Sequence, residues 1–269
     1  MKYTIITVNY NNCEGLRQTV QSVISQTYKD VEYIVIDGGS TDGSVEVLKQ
    51  YEKYFSYWVS EKDKGIYNAM NKGIKHAHGD YLNFMNSGDI FFSNTVLEDV
   101  LCYLGDDIVH GKQYDRSRGS YPFLISQVPT MAYFYESSLQ HQSCFIRREL
   151  FKDSLYDENY RIVSDWKFFI EKIIFQNCSF SFIPVTVASF EGNGVSIQQR
   201  ELDANERQDV LNHYLPPRVL QDYERFKGKE SPVLDLIPEF NRTYRLQNLI
   251  VNTIKIILKA YKILKPRKK

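Results

Sequence analysis

The sequence predicts an α/β fold, a mostly parallel central sheet flanked by helices, with a C-terminal helical extension. Three observations point to it. The first ninety residues alternate short β-rich apolar runs with stretches whose apolar residues recur at helical spacing. Each apolar run ends in a polar cluster, as strands do at the ligand-binding edge of an open sheet. The last stretch of the chain mixes apolar residues at helical spacing with lysines and arginines, and holds no acid.

Taken in order, Tyr3 to Val8 is the first β-rich run. Glu14 to Ser25 places Leu16, Val20, Val23 and Ile24 at helical spacing. Val31 to Ile36, "VEYIVI", is almost continuously apolar, as expected of a strand buried on both faces. The turn cluster Gly38 to Gly43 follows, with Asp42 placed to cap a helix that turns Val45 and Leu48 inward. Tyr57 to Ser60 is a short strand, Ile66 to Ala77 a helix and Tyr81 to Met85 a strand. The second half is less regular. Thr95 to Leu104 and Trp166 to Phe175 read as helices. Asp107 to His110, Tyr121 to Ile125, part of Leu139 to Arg147, and Phe180 to Phe190 read as strands.

Composition sets limits on function. A chain of 269 residues with 43% apolar and 14% aromatic residues can bury a sizeable core. The four cysteines, Cys13, Cys102, Cys144 and Cys178, form no C-x-x-C pair, which argues for a reducing compartment and against a cysteine zinc site. The N-terminal apolar stretch is too short for a signal peptide, and no uncharged run is long enough to span a membrane. Net charge is zero, yet residues 240–269 carry nine positive charges and no acid, which leaves residues 1–239 at a formal −9.

Four polar clusters fall at predicted strand ends: Asn9-Tyr10-Asn11, Asp37 to Asp42, Asp63-Lys64-Gly65-Ile66-Tyr67, and Asn86-Ser87-Gly88-Asp89. Each alone reads as a turn. Together they converge on one sheet edge, where glycines admit a ligand to the backbone and acids bind hydroxyls or a divalent ion. No G-x-G-x-x-G opens the first helix and no G-x-x-x-x-G-K-[ST] occurs, so neither the dinucleotide fingerprint nor the P-loop applies.

"TIITVNYNNCEGLRQTVQSVISQTYKDVEYIVIDGGSTDGS" and "EKDKGIYNAMNKGIKHAHGDYLNFMNSGD" resemble the opening of the family 2 glycosyltransferases, which have the GT-A fold. The likeness is greatest to the bacterial branch that builds exopolysaccharide, capsule and O-antigen units, and runs over about residues 1 to 195. The resemblance implies a nucleotide site of Val8, Asn9, Tyr10 and Asn11 around the base, Asp37 on the base edge, and Asp63, Lys64 and Gly65 against nucleotide and phosphates. In "MNSGD", Asn86 and Gly88 stand where the family usually carries acids, so Asp89 alone is left to hold Mn²⁺ or Mg²⁺, with substrate phosphates and water supplying other ligands. Asn86 and Ser87 keep hydrogen-bonding capacity toward the nucleotide.

In "LYDENYRIVSDWKFFIEK" the resemblance puts the catalytic base at Asp165. An acceptor hydroxyl needs a positioned carboxylate to take its proton. Taken alone, Ser164 or Asp165 reads as a helix N-cap, and Trp166 as either a sugar platform or a core residue. His141 and Gln142 resemble the His-Gln found near the diphosphate and acceptor. Arg147 and Arg148 read as phosphate partners or as a solvated strand end. "FEGNGVS", residues 190 to 196, matches a loop that closes over the donor.

The tail places Leu246, Leu249, Ile250, Ile254, Ile257, Leu258, Tyr261 and Leu264 at helical spacing, with Lys255, Lys259, Lys262 and Lys265 between them. A basic amphipathic helix of this kind is a membrane-surface anchor, or a helix packed on the catalytic domain or on a second copy in a homodimer. Nucleic acid is disfavoured by the acidic remainder. The resulting expectation is a catalytic domain over 1–200, a helical connector or lid over 201–239 and a basic helix over 240–269. Its activity would be inverting transfer from a UDP-sugar to a lipid-linked saccharide, by a cytoplasmic enzyme peripheral to the inner face of the membrane. The alternative is a nucleotide-sugar-binding partner without turnover.

Overall fold

The computed structural model describes residues 3–120, 128–190, 199–226, 249, 252–257 and 259. The expected strand at Tyr121 to Ile125, most of "FEGNGVS" and most of the basic tail lie outside them. Two compact units result, Met1–Pro216 and Pro217–Lys269.

The first unit contains one eight-stranded sheet. β1 (Tyr3–Asn9), β2 (Val31–Asp37), β3 (Tyr57–Ser60) and β4 (Tyr81–Phe84) lie in the order β3-β2-β1-β4, all parallel. Their crossovers are α1 (Cys13–Ile24), α2 (Ser44–Tyr51) and α3 (Ile66–His76). Side-chain alternation assigns each helix a face. Tyr3, Ile5, Tyr33 and Val35 join Leu16 and Val20 of α1 and Val47 and Leu48 of α2 in one core. The opposite face takes α3 closely enough that a Cβ on Gly73 would lie 2.5 Å from Ile6 Cγ2. Strand order reverses between β1 and β4, and it is outside such a switch point that open α/β sheets bind ligands.

The other half departs from a parallel pattern. β7 (Cys144–Arg147) pairs antiparallel with β4, β6 (Ile108–Asp115) antiparallel with β7, and β8 (Phe180–Phe190) parallel with β6. The two-residue β5 (Ile90–Phe91) closes the far edge, antiparallel to β8. Only the loop 85–89 separates inner strand β4 from edge strand β5, so the sheet curls and carries that loop across its mouth.

Several predicted elements change in extent. Only Cys144–Arg147 of the 139–147 segment is strand, because His141–Ser143 forms a 3₁₀ turn. The helix expected over 95–104 is α4 (Val96–Val100) plus a 3₁₀ turn. α5 (Met131–Glu136) begins at a Thr130 cap. α6 (Ser164–Phe169) continues as a π-helical stretch to Phe175. Asp42 does more than cap α2. Its Oδ1 accepts the Ser44 amide at 3.1 Å, while Oδ2 accepts the Cys13 amide at 2.8 Å, tying the starts of α1 and α2 together.

α7 (Arg200–Tyr214) lies in the first unit, so the division falls after Pro216 rather than at 200. The reason is polar docking. Glu206 accepts the amides of Arg161, Ile162 and Val163 at 2.8, 2.9 and 3.3 Å, and Tyr160 donates to Asp209 at 2.7 Å. In the second unit, α8 (Pro217–Phe226) is followed by a helical stretch at 252–257 whose Ile254, Ile256 and Ile257 are exposed. No helix among the described residues is long and apolar enough to cross a membrane.

Candidate active site

A cleft of about 1370 Å³ opens over the carboxyl ends of β1, β2 and β4. Val8, Asn9, Tyr10, Asp63, Gly65, Asn86, Ser87, Asp89, His141, Gln142, Asp165 and Trp166 all line it. Asn11, Asp37 and Lys64 do not. Lys64 is solvated, and its neighbour Lys62 occupies the cleft instead. Arg147 and Arg148 lie elsewhere, bonded to the Gly105 and Gly79 carbonyls.

At the β1–β2 end, Asp37 is fully buried. It accepts from Asn9 Nδ2 (2.7 Å), Ser40 Oγ (2.6 Å), Ser60 Oγ (2.6 Å) and the amides of Gly39 and Ser40. Burial pushes its pKa up, but bonds from Ser40, Ser60 and Asn9 outweigh burial and hold it below the usual carboxylate range. Asp37 therefore folds the loop from beneath. Gly38, above it, is the floor the cleft presents, with Tyr10 and Asp63 on either side. A Cβ there would sit 3.1 Å from Asp63 Oδ2 and 3.2 Å from the Tyr10 ring. Asp63 Oδ1 is held by Lys72 at 2.5 Å. Asn11 organises the same loop, accepting the Thr41 amide with a left-handed φ of 48°.

The loop 86–89 is pinned from four directions. Asn12, the cap of α1, donates to the Ser87 carbonyl at 3.0 Å. Thr19 Oγ1 lies 2.7 Å from the Asp89 carbonyl and 3.0 Å from the Gly88 amide. Arg116 donates to the Gly88 carbonyl at 2.9 Å. Gln142 Nε2 donates to Asp89 Oδ2 at 3.0 Å. Gly88 has φ 102°, a conformation that the acid common at this place would adopt only under strain. Burial raises the pKa of Asp89 to about 6, against the lowering pull of His141, Gln142 and Arg116. A carboxylate whose ionised form burial disfavours gains stabilisation from a divalent cation. Among the described residues there is no cluster of three or more His, Cys, Asp or Glu side chains to hold an ion unaided. The residues thus fit an ion that shares its coordination with a diphosphate and water.

Asp165 sits in the first turn of α6. Its Oδ2 accepts from His141 Nδ1 at 2.9 Å. Its Oδ1 lies 2.7 Å from the Tyr67 hydroxyl and 2.9 Å from the Trp166 amide. Burial pushes Asp165 up, but the His141 hydrogen bond and charge, with the Tyr67 bond, hold it below the usual carboxylate range. For His141 burial pushes down, while the bond to Asp165 and the charges of Asp165 and Asp89 raise it above the usual imidazole value. An imidazolium donates from both nitrogens. Asn86 Nδ2 faces His141 Nε2 at 3.0 Å and Asn86 Oδ1 is buried without a partner. Turning that amide over puts Oδ1 opposite Nε2–H and moves Nδ2 to the place Oδ1 held. Asn86, His141, Asp165 and Tyr67 then form one chain from loop 86–89 to the carboxylate.

Of the two readings of Trp166, sugar platform or core residue, the structure takes the second. It is 1% exposed, and its indole N–H donates to the Phe134 and Ser137 carbonyls at 3.0 Å. The guanidinium of Arg207 covers its ring at 4.6 Å. Burial and these bonds make it a pedestal for Arg207, a residue no sequence motif marks. Asn12, Thr19 and Arg116 were likewise not singled out as site residues, and Tyr67 only as the last residue of a polar cluster, since a lone Tyr or Thr in a helix reads as packing.

The family model of Glycosyl transferase family 2 matches residues 4–154. This chain belongs to glycosyltransferase family 2. The uncharacterized glycosyltransferase Rv1514c of Mycobacterium tuberculosis H37Rv is 35% identical over 212 residues, covering 71% of this chain and 76% of that one. A PGL/p-HBAD biosynthesis glycosyltransferase of Mycobacterium bovis BCG is 28% identical over 203 residues, covering 71% and 77%. The fold is GT-A. S. aureus TarS 1–349 in complex with UDP superposes with TM-score 0.64 at 17% identity, covering 88% of this glycosyltransferase and 74% of that chain. The mannosyltransferase PcManGT of Pyrobaculum calidifontis, in complex with GDP-Man and Mn²⁺, gives 0.65 at 16% identity, covering 97% and 82%. This chain spans 45% of the longer TarS chain.

Proposed function

We propose that this glycosyltransferase moves a sugar from a UDP-sugar to a hydroxyl of a lipid-linked saccharide, with inversion at the anomeric carbon. The observation that carries the reading is the fixed carboxylate of Asp165, held by Tyr67 and His141 on the same cleft as the pinned loop 86–89. Asp165 takes the proton of the acceptor hydroxyl as that oxygen attacks the anomeric carbon. The bond from that carbon to the diphosphate oxygen breaks, and attack from the opposite face inverts the configuration. His141 trades strength for availability: its charge weakens Asp165 as a base but keeps the carboxylate ionised. Asp89 would hold the divalent ion together with the diphosphate, and the ion supplies charge neutralisation at the leaving group. Tyr10, Gly38 and Asp63 frame the nucleoside, and Gln142 orients Asp89.

A uracil base is supported by TarS, which shares the fold and is solved with UDP and with UDP-GlcNAc. The GDP-Man complex of PcManGT makes guanine the competitor. The acidic body and basic tail support an acceptor at the inner face of the cytoplasmic membrane, in surface-polysaccharide synthesis of the capsule or O-antigen kind. The exposed Ile254, Ile256 and Ile257 would face the lipid. The test is release of nucleotide diphosphate from a panel of UDP- and GDP-sugars, with membrane extract as the source of acceptor. Turnover by wild type and its loss in Asp165→Asn, with donor binding kept, is the expected result. Donor binding by wild type without any turnover identifies the inactive partner instead.

A further inference from the structure

Three arginines line the cleft outside this assignment; Arg118 is paired with Asp115 at 3.6 Å, and Arg161 and Arg207 come from two segments that are bonded to each other. Arg161 lines the cleft, is exposed, and makes no side-chain hydrogen bond or ion pair with the described residues. Arg207 also lines the cleft. Its Nε donates to Asp203 at 3.0 Å, one terminal nitrogen reaches the Ser137 carbonyl at 3.5 Å, and Trp166 supports its flat face. Those contacts fix the fork and leave further N–H donors without an acceptor. Their segments are joined by Glu206, the neighbour of Arg207, which accepts the Arg161 amide at 2.8 Å. The Glu206 oxygens are spent on three backbone amides rather than on the Arg161 guanidinium. Both arginines line the same cleft as Asp165; Arg207 covers the ring of Trp166, the residue after Asp165, and Arg161 lies three positions before the start of α6. Among the described residues, the hydrogen-bonded route from loop 86–89 to Asp165 runs through His141.

We propose that Arg161 and Arg207 form an anion seat on the acceptor side of the cleft, taking a phosphate or carboxylate of the acceptor close to its reacting hydroxyl. The inference rests on the assignment of Asp165 as the acceptor-side base. Guanidinium forks match both oxyanions bidentately, and a fork pre-set on an aromatic face loses little freedom on binding. The phosphate of a lipid-linked saccharide and the carboxylate of an acidic sugar are the two sources of such a group.

The experiment is calorimetric binding of inorganic phosphate, and separately of glucuronate, to the full chain with and without saturating UDP. Wild type, Arg161→Gln and Arg207→Gln are compared. The expected result is phosphate or glucuronate binding that persists with UDP present and weakens about tenfold in each variant, the loss of one charge-assisted contact. Preference between the two anions tells which source the seat serves. Arg161→Gln alters an exposed side chain, so it reads the seat even where Arg207→Gln disturbs Trp166. Anion binding that UDP displaces fully, that both variants leave unchanged, or that is absent overturns the proposal. A chain that fails to bind UDP but loses phosphate in Arg161→Gln keeps the seat and sinks the UDP-donor reading alone.

Discussion

Replacing His141 by Gln tests the coupling at the heart of the site. The substitution removes the Nδ1–H bond to Asp165 and the positive charge, and leaves Tyr67 and the Trp166 amide in place. The bond also holds the carboxylate in position; one hydrogen bond to a charged group contributes about 1.5–3 kcal/mol, so lost positioning lowers kcat by at most roughly 10- to 150-fold, offset in part by the stronger base that remains. The direction in pH follows from the opposing influences on Asp165. Burial raises its pKa and His141 is the largest influence lowering it, so the variant's carboxyl titrates at higher pH. Transfer needs the ionised form, so activity is lost as pH falls through the folded-state pKa. In wild type this acid limb lies below the ordinary carboxylate range, and in His141→Gln it moves up. The assay is nucleotide diphosphate release between pH 4 and 9 for wild type, His141→Gln and Tyr67→Phe. Absence of any acid limb above pH 4 in His141→Gln would refute the coupling, whatever the change in kcat.

Three further outcomes are expected. Gly38→Ala puts a methyl against Asp63 and Tyr10 in the nucleoside floor, so it weakens UDP about tenfold while the melting temperature holds, read by calorimetry and thermal unfolding. Gly73→Ala forces a methyl into Ile6 and destabilises the fold by about 1–3 kcal/mol, measured by chemical denaturation, with UDP affinity kept in the folded fraction. Glu206→Gln removes the charge that holds three amides ahead of Asp165. It lowers stability by about 1–3 kcal/mol, and lowers kcat more than it changes the KM for donor.

What the sequence made legible and what it did not divide along physical lines. The strands "TIITVN" and "VEYIVI" are apolar on both faces, and their helices show clear spacing, so the parallel half could be read with its four polar ends. Those signals are local. The antiparallel half is held by pairings such as Val109 with Phe145, which no periodicity announces. The site shows the same contrast. Asp89 and Asp165 stand out as acids next to strand and helix ends, but the contacts that set their chemistry come from far along the chain. Tyr67 meets Asp165 across ninety-eight positions and Arg116 meets Gly88 across twenty-eight. The sequence leaves Trp166 between sugar platform and core residue because a pattern cannot tell a buried indole from an open one, and Arg207, which covers it, has no motif. Asp37 was found by its place at a strand end, and its burial under Gly38 emerged only with the loop folded.

The central claim is that loop 86–89 and Gly38 frame a nucleotide diphosphate site in which Asp89 shares a metal ion with the ligand. Calorimetric titration of UDP with and without Mn²⁺, on wild type and Asp89→Asn, tests it most directly. The account predicts little Mn²⁺ binding alone and UDP binding that Mn²⁺ strengthens at pH 7.5. That gain should fade as pH falls through about 6, where Asp89 takes a proton, and should be absent in Asp89→Asn. UDP that binds equally with or without metal in both proteins, or does not bind, would contradict it.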